Sequence, residues 1–313
     1  MNDKSLISLT QIAQDYMMNA LSENTKRAYK SDWQNIETFA RQQNITSLPF
    51  TPQFVCDYIS HLSKSGYKTA TIRRIMTTIS QAHKLANHAD PVSSPLVSKT
   101  FAGLRKEIGS KQDRKRPLTS ELIKQWIGTL DQENIKDIRD KAIILLGFAG
   151  ALRRSEIANI QHDHLRFEAE GLVIFIPQSK TDQAKEGALV AIPYGSNGYC
   201  PVRALKRWIE VSGITEGYVF RGFANRYLTP NDKKMTGRTV ALVVKRLCKD
   251  IGLNPNEYSG HSLRAGLATE AKRKGVTDQY IMTHGRWKSR SSFDRYVREG
   301  NLFRQNPVNA LDL

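Results

Sequence analysis

The sequence predicts a mainly α protein of two domains: an N-terminal helical bundle, then a larger, mostly helical domain with a small antiparallel β-sheet. Three observations carry that expectation. Apolar residues recur at helical spacing over most of the chain. Strand-like runs are concentrated in one stretch, Leu172 to Pro193. The length, 313 residues, suits two domains of ordinary size.

The elements follow in order. Ser22 to Thr25 reads as a helix start, with Tyr29, Trp33, Ile36 and Phe39–Ala40 behind it at helical spacing. Thr51-Pro52 opens a second helix carrying Phe54, Val55, Tyr58, Ile59 and Leu62. Thr69 to Asn87 is a third, its stripe formed by Ile72, Ile75, Met76, Ile79 and His83. These fit a bundle of four or five helices and a first domain over residues 1–108. Residues 109–117, GSKQDRKRP, combine Gly, Pro and basic groups and read as a linker. The second domain, 118–313, opens with Thr119 or Ser120 as a helix cap. A long helix is expected from Asp137 to Gly150. Leu172–Pro177 and Leu189–Pro193 flank the polar loop Gln178–Gly187 as a hairpin, and Tyr218-Val219-Phe220 reads as a further short strand. Helices are expected near 236–251, 261–274, 277–284 and 291–299.

Charge narrows the function. Lys and Arg number 47 against 30 Asp and Glu, a net +17. The excess is +5 over residues 1–110, +3 over 111–116 and +9 over 117–313, so it is not confined to a tail. A ligand with regularly spaced negative charge that touches both halves would account for this, and nucleic acid is such a ligand. No apolar run reaches the ~18 residues of a membrane span, and the N-terminus shows no apolar signal core. Cys56, Cys200 and Cys248 are odd in number and far apart, which fits a reducing cytoplasm and no disulfide framework. His162-Asp163-His164 lacks a third-ligand pattern, so no metal site is expected.

Five segments carry chemistry. In Ala151-Leu152-Arg153-Arg154-Ser155-Glu156-Ile157, a carboxylate three residues after Arg153 can hold its guanidinium in one orientation. Lys180 stands on the hairpin loop. In Gly260-His261-Ser262-Leu263-Arg264-Ala265-Gly266, His261 and Arg264 share a helix face at the N-terminus, with Ser259 able to cap; imidazole, guanidinium and helix dipole together favour an anion. His284-Gly285-Arg286-Trp287-Lys288 offers an indole N–H donor. Tyr296 lies nine residues beyond Trp287.

Together, in this order and spacing, these boxes resemble those of the tyrosine recombinase (phage integrase) family, and SENTKRAYKSDWQNIETFA resembles the opening of the family's core-binding domain. The resemblance covers nearly the whole chain. It implies a SAM-like core-binding domain followed by a catalytic domain. It matches Arg153 to the first catalytic arginine, Glu156 to its acidic support, Lys180 to the hairpin lysine, and His261 and Arg264 to the histidine and second arginine. Trp287 stands where Cre-like members carry tryptophan, and Tyr296 matches the nucleophile. His284 and Arg154 fall outside the matched positions.

The implied reaction is attack of Tyr296 on a DNA phosphate with release of a 5′-hydroxyl. The covalent 3′-phosphotyrosine conserves the bond energy, so no ATP, metal or other cofactor is expected. Arg153 and Arg264 clamp the non-bridging oxygens while His261 and Trp287 add donors; His261 is the candidate base for Tyr296, and Lys180 the candidate acid for the leaving oxygen. The implied partners are double-stranded DNA with paired half-sites and further copies of the chain, a dimer on one site and a tetramer in synapsis, in the cytoplasm at the nucleoid. The apolar tail residues Leu302, Phe303, Val308 and Leu311 would dock on a neighbouring subunit. A type IB topoisomerase or a non-catalytic DNA-binding protein of the same fold are the alternatives. Charge and helix placement mark Lys26, Arg73, Arg74, Lys245 and Arg246 as DNA-contact candidates.

Overall fold

The computed structural model describes residues 22–45, 48–109, 115–177, 186–195, 198–224 and 229–297. It is mainly α, with twelve α-helices among those residues. The chain divides into two compact units, Met1–Asp113 and Arg114–Leu313. Lys180, the tail from Leu302 onward and residues 110–114 of the basic run lie outside the described residues.

In the first unit, α1 (Glu23–Gln42), α2 (Pro52–Lys64), α3 (Thr69–Leu85) and α4 (Pro95–Ile108) enclose one core. The starts of α1, α2 and α4 follow from short polar side chains that accept otherwise orphaned helix N–H groups, while α3 begins after Lys68 with no side-chain cap. Ser22 accepts from Thr25 N, Thr51 from Phe54 N, and Ser94 from Leu96 N. Ile36, Val55, Ile59, Ile72, Ile79 and Val97 are fully buried, which satisfies the helical stripes. Two polar groups tie the bundle internally. Buried Asp32 on α1 takes Arg74 and the Thr78 hydroxyl of α3. His83 Nε2 accepts Phe50 N–H at 2.9 Å, so Nδ1 carries the proton donated to Ile79 O.

In the second unit the central element is α6 (Ile135–Ala149), which follows α5 (Ser120–Ile127). Ala142 to Leu146 of α6 are all buried, a pattern that only an enveloped helix shows. Helix α7 (Arg154–Ala158) is short, and β1 (Leu165–Phe167), β2 (Gly171–Ile176) and β3 (Ala188–Pro193) form an antiparallel sheet in that order. Leu172 faces Ile192 and Ile174 faces Val190, which puts all four on the core side. Phe175 and Leu189 point the other way and are exposed. Helix α8 (Pro201–Ser212) packs on α6.

The strand expected at Tyr218-Val219-Phe220 is not one. Tyr218 makes a single bridge to Gln161, and the strands are β4 (Arg221–Phe223) and β5 (Pro230–Lys234). Val219 and Phe220 are both fully buried. Consecutive core-facing side chains belong to a segment threading the core, not to a pleat with alternating faces. Four helices complete the unit: α9 (Gly237–Asp250), α10 (His261–Arg273), α11 (Asp278–Gly285) and α12 (Arg290–Val297). No helix among the described residues is long and apolar enough to cross a membrane.

Candidate active site

The site is built where α6 ends. Its last turns come close to α7 and α10: a Cβ on Gly147 would lie 2.8 Å from side-chain atoms of both Ile157 and Leu263. Ala151, one residue past the Gly150 cap, has φ +46°, a left-handed conformation that costs a non-glycine residue roughly 1 kcal/mol. The bend aims the Ala151 carbonyl at α10, where Arg264 Nη1 donates to it at 2.6 Å. It also turns the chain into α7, whose N-cap is Arg153 and whose third residue is Glu156.

Glu156 is 4% exposed and binds the start of its own helix. Oε2 accepts Arg153 N–H at 2.8 Å, and Oε1 accepts the Arg153 guanidinium at 2.6 Å. A carboxylate at a helix N-terminus is favoured by the dipole and by this backbone donor. The same carboxylate therefore stabilises α7 and orients Arg153.

Arg264 is 2% exposed, and its guanidinium carbon lies 3.8 Å from the centroid of the Trp287 ring. Its Nη2 is buried and has no hydrogen-bond partner. Burial, then the nearby Arg153 and Arg286 cations, pull its pKa down, against the opposing influence of Glu156 and Tyr296. A buried cation with an unspent donor and too few counter-charges is a place for an anion.

Trp287 is held by the turn that ends α11. Arg286 N–H bonds Thr283 O at 3.0 Å and Trp287 N–H bonds Met282 O at 2.9 Å, the paired bonds of a Schellman ending. The left-handed position is Arg286, φ +58°. Gly285 is required beside it, since a Cβ there would stand 1.7 Å from the Trp287 ring. That ring meets Phe293 and Tyr296 edge-on, at 5.6 and 5.5 Å between centroids. The Thr269 hydroxyl donates to Tyr296 O at 2.9 Å, which ties α12 to α10.

The structure thus brings together Arg153, Glu156, Arg264, Trp287 and Tyr296 from three helices, α7, α10 and α12, and the turn before α12. His261 is exposed at the first turn of α10, three residues before Arg264 on the same face, and its N–H donates to Ser259 Oγ at 3.3 Å. Lys180 cannot be placed, because it lies outside the described residues. His284 Nε2 donates to Ala149 O at 2.7 Å, a contact that fixes α11 on α6. Its partner is a backbone carbonyl, the structural place its sequence position suggests.

One residue escaped the sequence reading. Arg286 donates through Nη2 to Glu156 Oε2 at 2.8 Å, opposite Arg153. Adjacency to Trp287 was the sole sequence signal, since its partner is 130 positions away. The DNA-contact candidates divide. Arg246 is held by Asp137, Asp140 and Asp250, and Arg74 by Asp32. Lys26 pairs with Glu23, and Arg73 is exposed over Phe101; Lys26 and Lys245 of α9 are both half-buried. His164 Nδ1 accepts Gln161 N–H, which gives that histidine a local structural partner. No group of three potential metal ligands occurs among the described residues.

Comparison with known proteins agrees across the chain. Residues 116–301 match the phage integrase family, and residues 14–89 match the phage integrase N-terminal SAM-like domain. An integrase/recombinase xerD homolog of Selenomonas ruminantium is 35% identical over 93% of this chain and 86% of its own length. The recombinase cre of Escherichia phage P1 is 26% identical over 89% of this chain and 85% of its own. Among solved structures, a lambda integrase tetramer bound to a Holliday junction superposes with a TM-score of 0.64 at 16% identity, covering 96% of this chain and 79% of that one.

Proposed function

This chain belongs to the phage integrase family and is a site-specific tyrosine recombinase, an enzyme that breaks and rejoins DNA strands; from that premise we propose how its residues divide the work. Tyr296 attacks the scissile phosphorus, its hydroxyl proton passing to His261. The bond to the 5′-oxygen breaks, and that oxygen takes a proton from Lys180. The 3′-phosphotyrosyl ester retains the phosphodiester's energy, and attack by a 5′-hydroxyl from another strand reverses every transfer. Arg153 and Arg264 face the non-bridging oxygens, where negative charge grows in the transition state.

The observation that supports this reading best is the buried, unpartnered Nη2 of Arg264, lodged between Arg153 and the Trp287–Tyr296 pair. A preorganised donor that lacks a partner in the protein costs folding free energy, and a phosphate oxygen would complete it.

The first unit acts as the core-binding domain, and the basic run near 109–117 follows the DNA backbone. The functional assembly is a dimer on one site and a tetramer in synapsis, a reading supported by the lambda integrase tetramer bound to a Holliday junction; the chain works at the nucleoid. Residues 302–313 join neighbouring subunits, so their deletion abolishes synapsis and spares single-site binding.

The test uses nicked duplexes selected by wild-type covalent capture from a randomised library. Wild type forms a denaturant-resistant adduct, and Tyr296→Phe forms none while it binds the same duplex with unchanged affinity. Adducts with the phenylalanine variant would move the nucleophile elsewhere.

A further inference from the structure

We propose that Arg286 is a positioning residue of the cleavage site: it braces Glu156 from the side opposite Arg153 and so fixes the first phosphate-clamping guanidinium. The proposal rests on the recombinase reading above and adds a residue to it.

The backbone supplies the first argument. Arg286 occupies the left-handed position of the Schellman ending, φ +58° and ψ 45°, where glycine is the unstrained choice. The chain carries instead a long side chain that is nine-tenths buried. Strain retained together with a buried cation is a feature that function explains better than stability does.

Its contacts supply the second. Arg286 Nη2 reaches Glu156 Oε2 at 2.8 Å, while its Nη1 lies 3.4 Å from Gly150 O and 3.3 Å from His284 O. One planar group therefore spans the end of α6, the start of α7 and the end of α11. Glu156 is held at both oxygens, by Arg153 on Oε1 and by Arg286 and the Arg153 backbone on Oε2. With Arg286 removed, Oε2 keeps only the backbone contact, and the carboxylate can swing with the Arg153 guanidinium attached.

Charge supplies the third. Three guanidiniums surround one carboxylate here. Burial lowers the Arg286 pKa first of all; Glu156 raises it and Arg153 lowers it. Arg286 in turn disfavours the charge on Arg264. The arrangement leaves Arg264 in want of a counter-ion at the place where a phosphate would sit.

The experiment measures covalent-adduct rate and duplex affinity on the captured nicked duplex. It compares wild type, Arg286→Gly, Arg286→Lys, Glu156→Gln and the double variant Arg286→Gly/Glu156→Gln. Glycine relaxes the left-handed turn, so this variant folds; lysine keeps a cation without the planar fork. Arg286→Gly is expected to bind as wild type and cleave about 30-fold more slowly, within the ~10²-fold that a 1 Å misplacement of a reacting group costs. Lysine restores part of the rate. In the Glu156→Gln background the glycine change costs less than about threefold, because the two residues act as one unit.

Equal losses in both backgrounds, a loss confined to affinity, or an unchanged rate would overturn the role. A wild-type chain that forms no adduct would overturn the recombinase assignment of residues itself, a result that is separate from any of these.

Discussion

Two arginine clusters in the second unit look alike in composition and differ in balance. Around α6 and α9, Arg139 and Arg246 meet Asp137, Asp140 and Asp250. Arg139 also lies over Phe223, 4.3 Å from its centroid, and donates to Arg221 O. Two guanidiniums face three carboxylates, and none of their side-chain nitrogens is buried without a partner. Around Glu156, among the described residues, three guanidiniums gather at one carboxylate, and Arg264 Nη2 and Arg286 Nε are both buried without a hydrogen-bond partner. The balanced cluster holds two helices together. The unbalanced one is an anion site held open at the expense of stability. A buried arginine is therefore read by what it lacks as much as by what it touches.

Breaking each cluster should give opposite signatures. In the balanced cluster, Asp140→Ala leaves Arg139 buried without its principal partner and should destabilise the chain by about 3–5 kcal/mol. Denaturant unfolding measures this, and the adduct rate of the folded fraction should stay near wild type. In the unbalanced cluster, Arg264→Ala should lower the adduct rate by ~10²–10³, the usual loss for one preorganised donor. Its stability should fall little, because a repelled cation leaves with the side chain. If calorimetry shows the larger destabilisation at Arg264, the contrast fails.

A pH series sharpens the comparison further. Burial and the neighbouring cations disfavour the Arg264 charge, but a guanidinium stays protonated across the range in which the protein is folded. Wild-type adduct formation should therefore show no loss of this charge toward high pH. Arg264→Lys puts an amine of lower intrinsic pKa under the same burial, so this variant should lose its charge and its adduct rate as pH rises. A lysine profile that coincides with wild type would remove Arg264 as the limiting charge. The smallest expected effect is at the surface: Glu23→Gln, which breaks the exposed pair with Lys26, should change stability by less than about 1 kcal/mol.

Much of this was legible in the chain because it rests on local physics. Ser22, Thr51 and Thr119 each cap the helix their position announces, and the β2–β3 pair follows from two apolar runs around a polar loop. The amphipathic stripe of α8, with Val202, Leu205 and Trp208 buried, was present too, but its start is marked by Cys200, an unusual cap. Strand β5 was not legible. Its sequence PNDKK has no strand character, and its pairing with β4 comes from tertiary placement. The site residues were legible as motifs. The Arg286–Glu156 contact was not, since no local pattern links a helix ending to a helix start so distant in the chain.

The left-handed Ala151 has a practical consequence for anyone who would engineer this enzyme. Glycine at that position would relax the backbone and score as an improvement in a thermal screen. The gain would loosen the carbonyl against which Arg264 is seated. Selection for heat tolerance without DNA should therefore drift toward hardier proteins with duller active sites. Screens that keep the duplex present at every round would preserve the tension that evolution left there.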